Sequence, residues 1–419
     1  MSLLDKASLV LIPSGTKEGT VFCQKPTGVW QDSTGDYDGQ DGTGFNGQLD
    51  FTRASTATFV NTDGLIEVAG INVPRFDYTD TNFPKLLIER GTVNRCTYSE
   101  SFDNWTKSSS VGIESDNAIS PDGNLTADKM MLYGNQIGGH VRTSFGGSYG
   151  GGSTLSVFVK KDTARWFALG TYLSNDKLVW FDLDNKVVGT QGASAIGEIQ
   201  EYENNWYRCS IYIISGTFSN FYMMISNDDN SFNGSDGDSV WIWGAQMETR
   251  KLSSYIPTTS STVSRDSDSI YKTSISSVIG QSEGTLFVDF ELTGTGLTCV
   301  PISVGDGTLS NFVVINKRDN NRIRFSIVAS GTATFVYETD ILSLGRHRCA
   351  IAYKQNNCAA YVDGNLIASS ASVNIPSTLS RLSLSDVATS YDLMDGLLNQ
   401  ALLFPTRLTN SELATLTSL

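Results

Sequence analysis

Imidazole is almost missing from this sequence: of 419 residues only two are histidine, His140 and His347. That leaves little material for a histidine-built metal centre or for catalysis that runs through imidazole. Positive charge is also short, with 30 Lys and Arg against 44 Asp and Glu and a formal net charge of -14. A chain this acidic is a poor coat for nucleic acid or for an anionic membrane, both of which need clustered cations. Charged residues make up only 18% of the chain while glycine reaches 39, and Ser, Thr and Asn crowd every segment, which excludes a bundle of long solvated helices. No apolar run approaches the roughly 18 residues of a spanning helix. The first apolar run, Leu9 to Ile12, is too short for a signal-peptide core and has no basic leader, so synthesis in a cytoplasm is expected. No internal repeat and no sustained heptad occurs, so a coiled-coil shaft is not encoded.

The cysteines are Cys23, Cys96, Cys209, Cys299, Cys349 and Cys358, with no C-x-x-C and no zinc-ligand spacing among them. The closest pair is Cys349 and Cys358. A tight turn at Lys354–Asn357 would set Cys358 opposite Tyr353, four residues from Cys349, or about 13 Å at ~3.3 Å per residue. That exceeds the reach of a disulfide, and all six are expected to be buried free thiols.

What is present reads as strands. At roughly 150 residues per domain the length predicts two or three domains. Residues 1–95 carry short apolar runs around a polar Gly- and Asp-rich insertion, Gln31 to Gly47, and read as an irregular segment that contains some β-structure. Residues 96–257 show alternation at Leu155, Val157 and Val159, and again at Tyr207, Cys209, Ile211 and Ile213, with further strands at Phe221–Ile225 and Val240–Trp243. Residues 258–279, entered through Pro257-Thr-Thr-Ser-Ser-Thr-Val263, read as a linker. In 280–419, Leu286, Val288, Phe290 and Leu292 alternate with polar neighbours, as do Ile323, Phe325 and Ile327, and Val362-Asp-Gly-Asn365 has the Asp-Gly pair of a tight hairpin. Thr409-Asn-Ser-Glu412 fits a capping box, with Leu413 and Leu416 at helical spacing behind it. The expected fold is all-β: two antiparallel β-sandwich (jelly-roll) domains, 96–257 and 280–419, after an irregular N-terminal segment, with one short C-terminal helix acting as a lid.

Several motifs, taken in order, resemble a signature of tailed-bacteriophage structural proteins. They are Phe51-Thr-Arg-Ala-Ser-Thr-Ala-Thr-Phe-Val60, Asp63-Gly-Leu-Ile-Glu67, Pro74-Arg-Phe-Asp77 and Leu86-Leu-Ile-Glu89. Tyr98-Ser-Glu-Ser-Phe-Asp-Asn-Trp105, Trp243-Gly-Ala-Gln-Met-Glu248 and Tyr255-Ile-Pro-Thr-Thr259 resemble the opening and closing segments of a carbohydrate-binding-module-like jelly roll. Arg348-Cys-Ala-Ile-Ala-Tyr353, Ala360-Tyr-Val-Asp-Gly364 and Leu403-Phe-Pro-Thr-Arg-Leu-Thr409 resemble a concanavalin A-like, laminin-G-type sandwich. The resemblance implies a virion component on the tail or capsid exterior, made in the host cytoplasm. Its partners would be other virion structural proteins, further copies of itself and host cell-surface glycans, without nucleic acid or membrane insertion.

Candidate chemistry is sparse. Gly146-Gly-Ser-Tyr-Gly150 matches the pattern of a nucleophile elbow, but a strand rather than a helix follows it, so a loop is expected there. Asp289 and Glu291 share one strand face, as paired carboxylates of a glycosidase would. The concanavalin-like glycosidases carry Glu-x-Asp-x-Glu, position 287 here is Phe, and a solvated strand face is the expectation. Asp228, Asp229, Asp236 and Asp238 in one loop, and Asp36, Asp38 and Asp41 in another, offer the oxygen ligands that calcium takes; neither fits an EF-hand, and solvated acidic turns are the commoner outcome. Trp166, Tyr172, Trp180 and Trp206 are the candidates for stacking on a pyranose, against the usual place of such rings in the core. His140 and His347 are expected to be structural. A non-enzymatic virion protein presenting lectin-like sandwiches to host glycans is the leading expectation. A capsid cement or tail adaptor without glycan binding is the alternative, and a polysaccharide depolymerase a more distant one.

Overall fold

The computed structural model describes residues 3–12, 16–17, 20–23, 47–79, 83–174, 176–293, 298–384, 388 and 394–419. It is all-β apart from short 3-10 turns and the C-terminal helix. Among these residues no helix is long and apolar enough to cross a membrane. The chain divides into two compact units. One comprises Met1–Thr56, Ala69–Arg90 and Asp266–Leu419, the other Ala57–Val68 and Gly91–Arg265. This division does not follow the boundaries at 95, 257 and 279 that the sequence suggests.

The unit built on Gly91–Arg265 is a sandwich of two antiparallel sheets. Its front sheet runs Thr106–Lys107, His140–Tyr149, Phe218–Ser226, Trp166–Gly170, Leu178–Asp182, Val187–Gln191; its back sheet runs Val111–Ile119, Leu125–Leu132, Ser239–Glu248, Ser153–Lys161, Trp206–Ile213, Ala195–Tyr202. Leu155, Val157, Val159, Cys209, Ile211 and Ile213 from the back sheet meet Val141, Phe167, Phe181 and Phe221 from the front in one apolar core, as the alternation predicts. The strand Ser153–Lys161 is nevertheless buried on both faces over Ser153–Val159, because Phe158 on its outer side is covered by Trp206, Trp243 and Tyr255. The linker-like composition after Pro257 is also ordered. Thr258 is buried against Ser99 and Cys96, and Val263–Arg265 pairs with Thr92–Asn94.

Asp128 sits buried at the edge of this core and accepts the backbone N–H groups of Phe102, at 2.8 Å, and Asp116, at 3.0 Å. Burial, only partly opposed by those bonds, pushes its carboxyl up to about 6. The native state therefore keeps the proton where the unfolded chain, with an ordinary value near 4, has released it. Stability contributed here is full below about pH 4 and is lost as pH rises towards about 6. Asp128→Asn removes that dependence, so the wild-type-minus-variant difference in thermal midpoint should fall between about pH 4 and pH 6 and then level off. A difference that stays constant across that range contradicts the assignment.

The second unit is a larger sandwich. One sheet runs Asn365–Ser370, Cys358–Val362, Gly345–Lys354, Glu283–Leu292, Gly396–Phe404, Lys85–Ile88, Arg75–Asp77, with Leu9–Leu11 also on Gly396–Phe404. The other runs Thr16–Lys17, Thr20–Phe22, Gln48–Thr52, Ser269–Lys272, Arg381–Ser383, Cys299–Gly305, Phe312–Lys317, Ile323–Ala329, Thr332–Glu338. Leu286, Val288, Phe290 and Leu292 face Ile323, Phe325 and Ile327 in its core. Several strands within residues 1–95 complete both sheets. Leu9–Leu11 and Lys85–Ile88 share the free side of Gly396–Phe404, while Gln48–Thr52 lies beside Ser269–Lys272. At three to five residues these pieces are too short to show alternation alone and are stable only as additions to a sheet.

The local signals of this unit are fulfilled. Val362 and Asn365 close a hairpin with Asp363 at φ 47° and Gly364 at φ 79°, the left-handed pair that the turn requires. The helix Asn410–Thr417 starts at Thr409 with the full capping box to Glu412, and Leu413 is buried against Val10, Phe287, Ala350 and Leu402. Ala352 pairs with Ala359, a register that sets Cys358 beside Tyr353, and all six cysteines are free and buried.

One buried ion network ties together the segments of this unit. Arg53 Nη1 donates to Asp268 Oδ1 at 3.0 Å; Arg75 donates to Asp268 Oδ2 at 2.5 Å and to Glu89 Oε2 at 2.8 Å. Arg53 also donates to the carbonyls of Gly70 and Val73, and the Glu89 N–H to Asp268. Both arginines and Asp268 are fully buried. Burial pulls the Arg75 guanidinium down, but Asp268 and Glu89 outweigh it and leave its pKa raised. The four residues come from the four stretches beside the junctions 56/57, 68/69, 90/91 and 265/266 where the chain leaves and re-enters the unit.

Candidate functional site

Strand alternation decides what the front sheet shows to solvent. Val141, Phe221, Met223, Phe167, Leu169, Val179 and Phe181 point into the core, so their neighbours along each strand point out. Cross-strand pairing lays the outward residues in rows. His140 stands beside Met224, then Ala168, then Trp180. Thr106 stands beside Arg142, then Tyr222, then Gly170, then Leu178. Ser144 stands beside Asn220, and Tyr172 follows just past the end of Trp166–Gly170.

The two halves of this face differ. Trp166, Ala168, Leu178, Trp180 and Met224 form a small apolar cluster covered by Leu173 and Phe232. The other half, around Arg142 and Tyr222, has no such cover among the described residues. Gly170 marks the border: an added Cβ there would lie 2.5 Å from both the Leu178 side chain and the Lys177 carbonyl. Only glycine lets Leu178 close over the apolar half.

On the open half, Tyr172 is 60% exposed and its ring centre lies 6.4 Å from that of the half-buried Tyr222, at an interplanar angle of 75°. The His140 ring centre lies 5.2 Å from that of Tyr222, and the Arg142 guanidinium is 6.0 Å from the same ring. Arg142 Nη1 donates to Ser144 Oγ and to Asn220 Oδ1, each at 3.2 Å, and Ser144 Oγ donates to Asn220 Oδ1 at 2.7 Å. His140 Nδ1 lies 2.8 Å from the Gly138 carbonyl. A carbonyl can only accept, so Nδ1 is the donor in this bond. The result is an exposed phenol ring beside a half-buried one, fringed by a cation, an amide, a hydroxyl and an imidazole. Such a surface offers apolar faces to the C–H side of a pyranose and hydrogen bonds to its rim.

Of the aromatic candidates from the sequence, Tyr172 alone is placed to stack on a ligand. Trp166 and Trp180 lie on the same outer face, but at 8% and 0% exposure they are sealed by the covering loops, and Trp180 Nε1 donates to the Ser231 carbonyl. Trp206, at 1%, is buried on the outer side of the back sheet among Phe158, Trp243 and Tyr255. Alternation told which side these rings leave the strand, but not that loops fold over it. His140, Arg142, Asn220 and Tyr222 were not selected from sequence. The signal was there in the alternate polar positions of His140-Val-Arg-Thr-Ser144 and Asn220-Phe-Tyr222.

The calcium candidates are engaged in hydrogen bonds within the protein. Asp229 accepts the Thr190 N–H and hydroxyl, Asp228 the Asp229 N–H, Asp236 the Gly134 N–H, and Asp238 the Ser235 N–H. Among the described residues no group of three or more His, Cys, Asp or Glu is placed to hold a metal ion. Asp36, Asp38 and Asp41 lie outside the described residues.

Two other readings need correction. Gly146-Gly-Ser-Tyr-Gly150 is not a loop: the strand His140–Tyr149 runs through Ser148 across a register shift, and the next element is a strand, not a helix. Asp289 is not on a solvated face. It is fully buried beneath Arg346, which grips it through Nε at 2.8 Å and Nη2 at 2.7 Å, and Arg348, through Nε at 2.9 Å. Glu291 pairs with Lys85 at 3.1 Å. His347 is structural, donating between Asp363 and the Ser343 carbonyl; the bond to Asp363 raises its pKa against the opposing effect of burial.

No protein-family model matches the chain, and no curated protein does. Among solved structures it is similar to the CBM40 module of the Ruminococcus gnavus IT-sialidase, at 13% identity and TM-score 0.30 over 33% of this chain and 84% of that one. It is also similar to the NanB sialidase of Streptococcus pneumoniae, at 14% identity and TM-score 0.30 over 33% of this chain and 24% of that one. A third likeness is the heptameric SAP-like pentraxin of Limulus polyphemus, at 11% identity and TM-score 0.26 over 33% of this chain and 70% of that one. All three are partial likenesses; the chemistry is decided by this chain's own side chains.

Proposed function

We propose that this protein binds carbohydrate on the open half of the front sheet, and that it does so as a non-enzymatic component on the exterior of a bacteriophage particle. One observation carries the binding site: the exposed Tyr172 stands beside the half-buried Tyr222, with Arg142, Asn220, Ser144 and His140 around them, on the half of the sheet face that Leu173 and Phe232 leave open. The particle is supported by the ordered motifs from Phe51 to Thr409 that resemble tailed-phage structural proteins. It brings with it virion partners, further copies of the chain and synthesis in the host cytoplasm. The non-enzymatic reading is supported by the fate of the two candidate centres, Ser148 in a strand and Asp289 gripped by two arginines.

A capsid or tail contact without glycan binding is the competing role. It draws on Ile341 and Leu344, which expose 64% and 62% of their surface in one loop of the other unit, as a protein-binding loop would. A glycan array probed with the full chain separates the two. Specific signal on a subset of glycans is the expected result, and silence across the array overturns the binding role in favour of the contact.

A further inference from the structure

We propose that the front-sheet site selects acidic glycans, with Arg142 taking the carboxylate of a sugar acid; this rests on the carbohydrate reading above. Two arginines of this protein grip a carboxylate through their Nε–Nη2 edge, and a third reaches one through Nε. Arg165 grips Asp182 through Nε at 3.0 Å and Nη2 at 2.5 Å; Arg346 grips Asp289 through the same two nitrogens; Arg348 uses Nε on the same acid. That edge is the planar fork that matches a carboxylate's two oxygens.

In Arg142 the same edge is open. Its bonds to the protein leave from Nη1 alone, to Ser144 and Asn220. Among the described residues neither Nε nor Nη2 has a partner, and no carboxylate pairs with this arginine. The bonds from Nη1 hold the plane of the group, while Tyr222 lies beneath it at 6.0 Å. A ligand carboxylate on the open edge would set its own ring over Tyr222 and Tyr172. The Asn220 amide nitrogen, which donates to Ser219 Oγ, has a second N–H left for a ligand hydroxyl.

The test uses the full chain on an array of neutral oligosaccharides and of oligosaccharides that carry uronic or other carboxylated sugars. The tightest binders are then titrated as free acids and as methyl esters, with wild type and with Arg142→Gln. The expected result is that the tightest binders are acids and that esterification weakens them about tenfold or more. Arg142→Gln should give the same loss on the acid and no further loss on the ester, with an unchanged thermal midpoint. Equal binding of neutral and acidic glycans, or an Arg142→Gln variant that binds acids like wild type, overturns acid selection and leaves the carbohydrate reading standing. Binding to no glycan at all overturns both.

Discussion

Replacing Tyr222 with alanine is expected to weaken binding of the best array glycan by about 30-fold or more, with little change in the thermal midpoint. Tyr222 is the centre of the open surface: His140, Arg142 and Tyr172 all pack against its ring. Central tyrosines of this kind carry roughly 2 kcal/mol or more of a binding energy, which is about 30-fold in Kd. Its ring is half-buried and outside the core of the sandwich, so truncation opens no cavity of the kind that large core residues leave. Calorimetric titration of wild type and Tyr222→Ala against one glycan, with a melting curve of each, reads both quantities. Unchanged affinity would remove Tyr222 from the site, and a large loss of stability would make the binding result uninterpretable as a contact effect. Tyr172→Ala, whose ring is mostly solvated, provides the second variant for that case.

The largest effect on stability is expected from Arg75→Ala. It leaves the Glu89 and Asp268 carboxylates in the interior without the cation that answers both. Removing one partner of a buried ion pair costs about 3–5 kcal/mol. In a unit of this size that corresponds to a fall of roughly 10 °C in the melting of the larger sandwich. Arg75→Lys keeps the charge but lacks the two-pronged reach, so it should recover only part of the loss. Differential scanning calorimetry measures the shift. A change of less than about 2 °C would show that the network is dispensable.

Much of the fold could be read from residues in sequence order, and the exceptions have physical causes. Leu286 to Leu292 and Tyr207 to Ile213 alternate strictly because each strand has one face in a core. Asp363-Gly364 and the Thr409–Glu412 box are local signals that act within a few residues, so tertiary context did not alter them. The strands Leu9–Leu11, Gln48–Thr52 and Arg75–Asp77 were hidden because their stability lies in long-range pairing. The Pro257–Val263 stretch looked like a linker because the polar Thr258 is satisfied by partners some 160 positions away.

The site was legible only in part. Trp166, Trp180 and Trp206 are the most prominent rings of the sequence, and all three are buried under residues that strand alternation does not place. Arg142 and Tyr222 become neighbours only through the pairing of His140–Tyr149 with Phe218–Ser226. The same limitation hid the environment of Asp289, which alternation places on a polar face but which two arginines enclose.

The most direct measurement of the central claim is a crystal structure of the full chain with the tightest-binding glycan from the array. The expected result is a sugar ring lying against Tyr172 and Tyr222, with its carboxylate on the Nε–Nη2 edge of Arg142. Sugar bound at any other surface of the molecule, with this half of the front sheet empty, would contradict it.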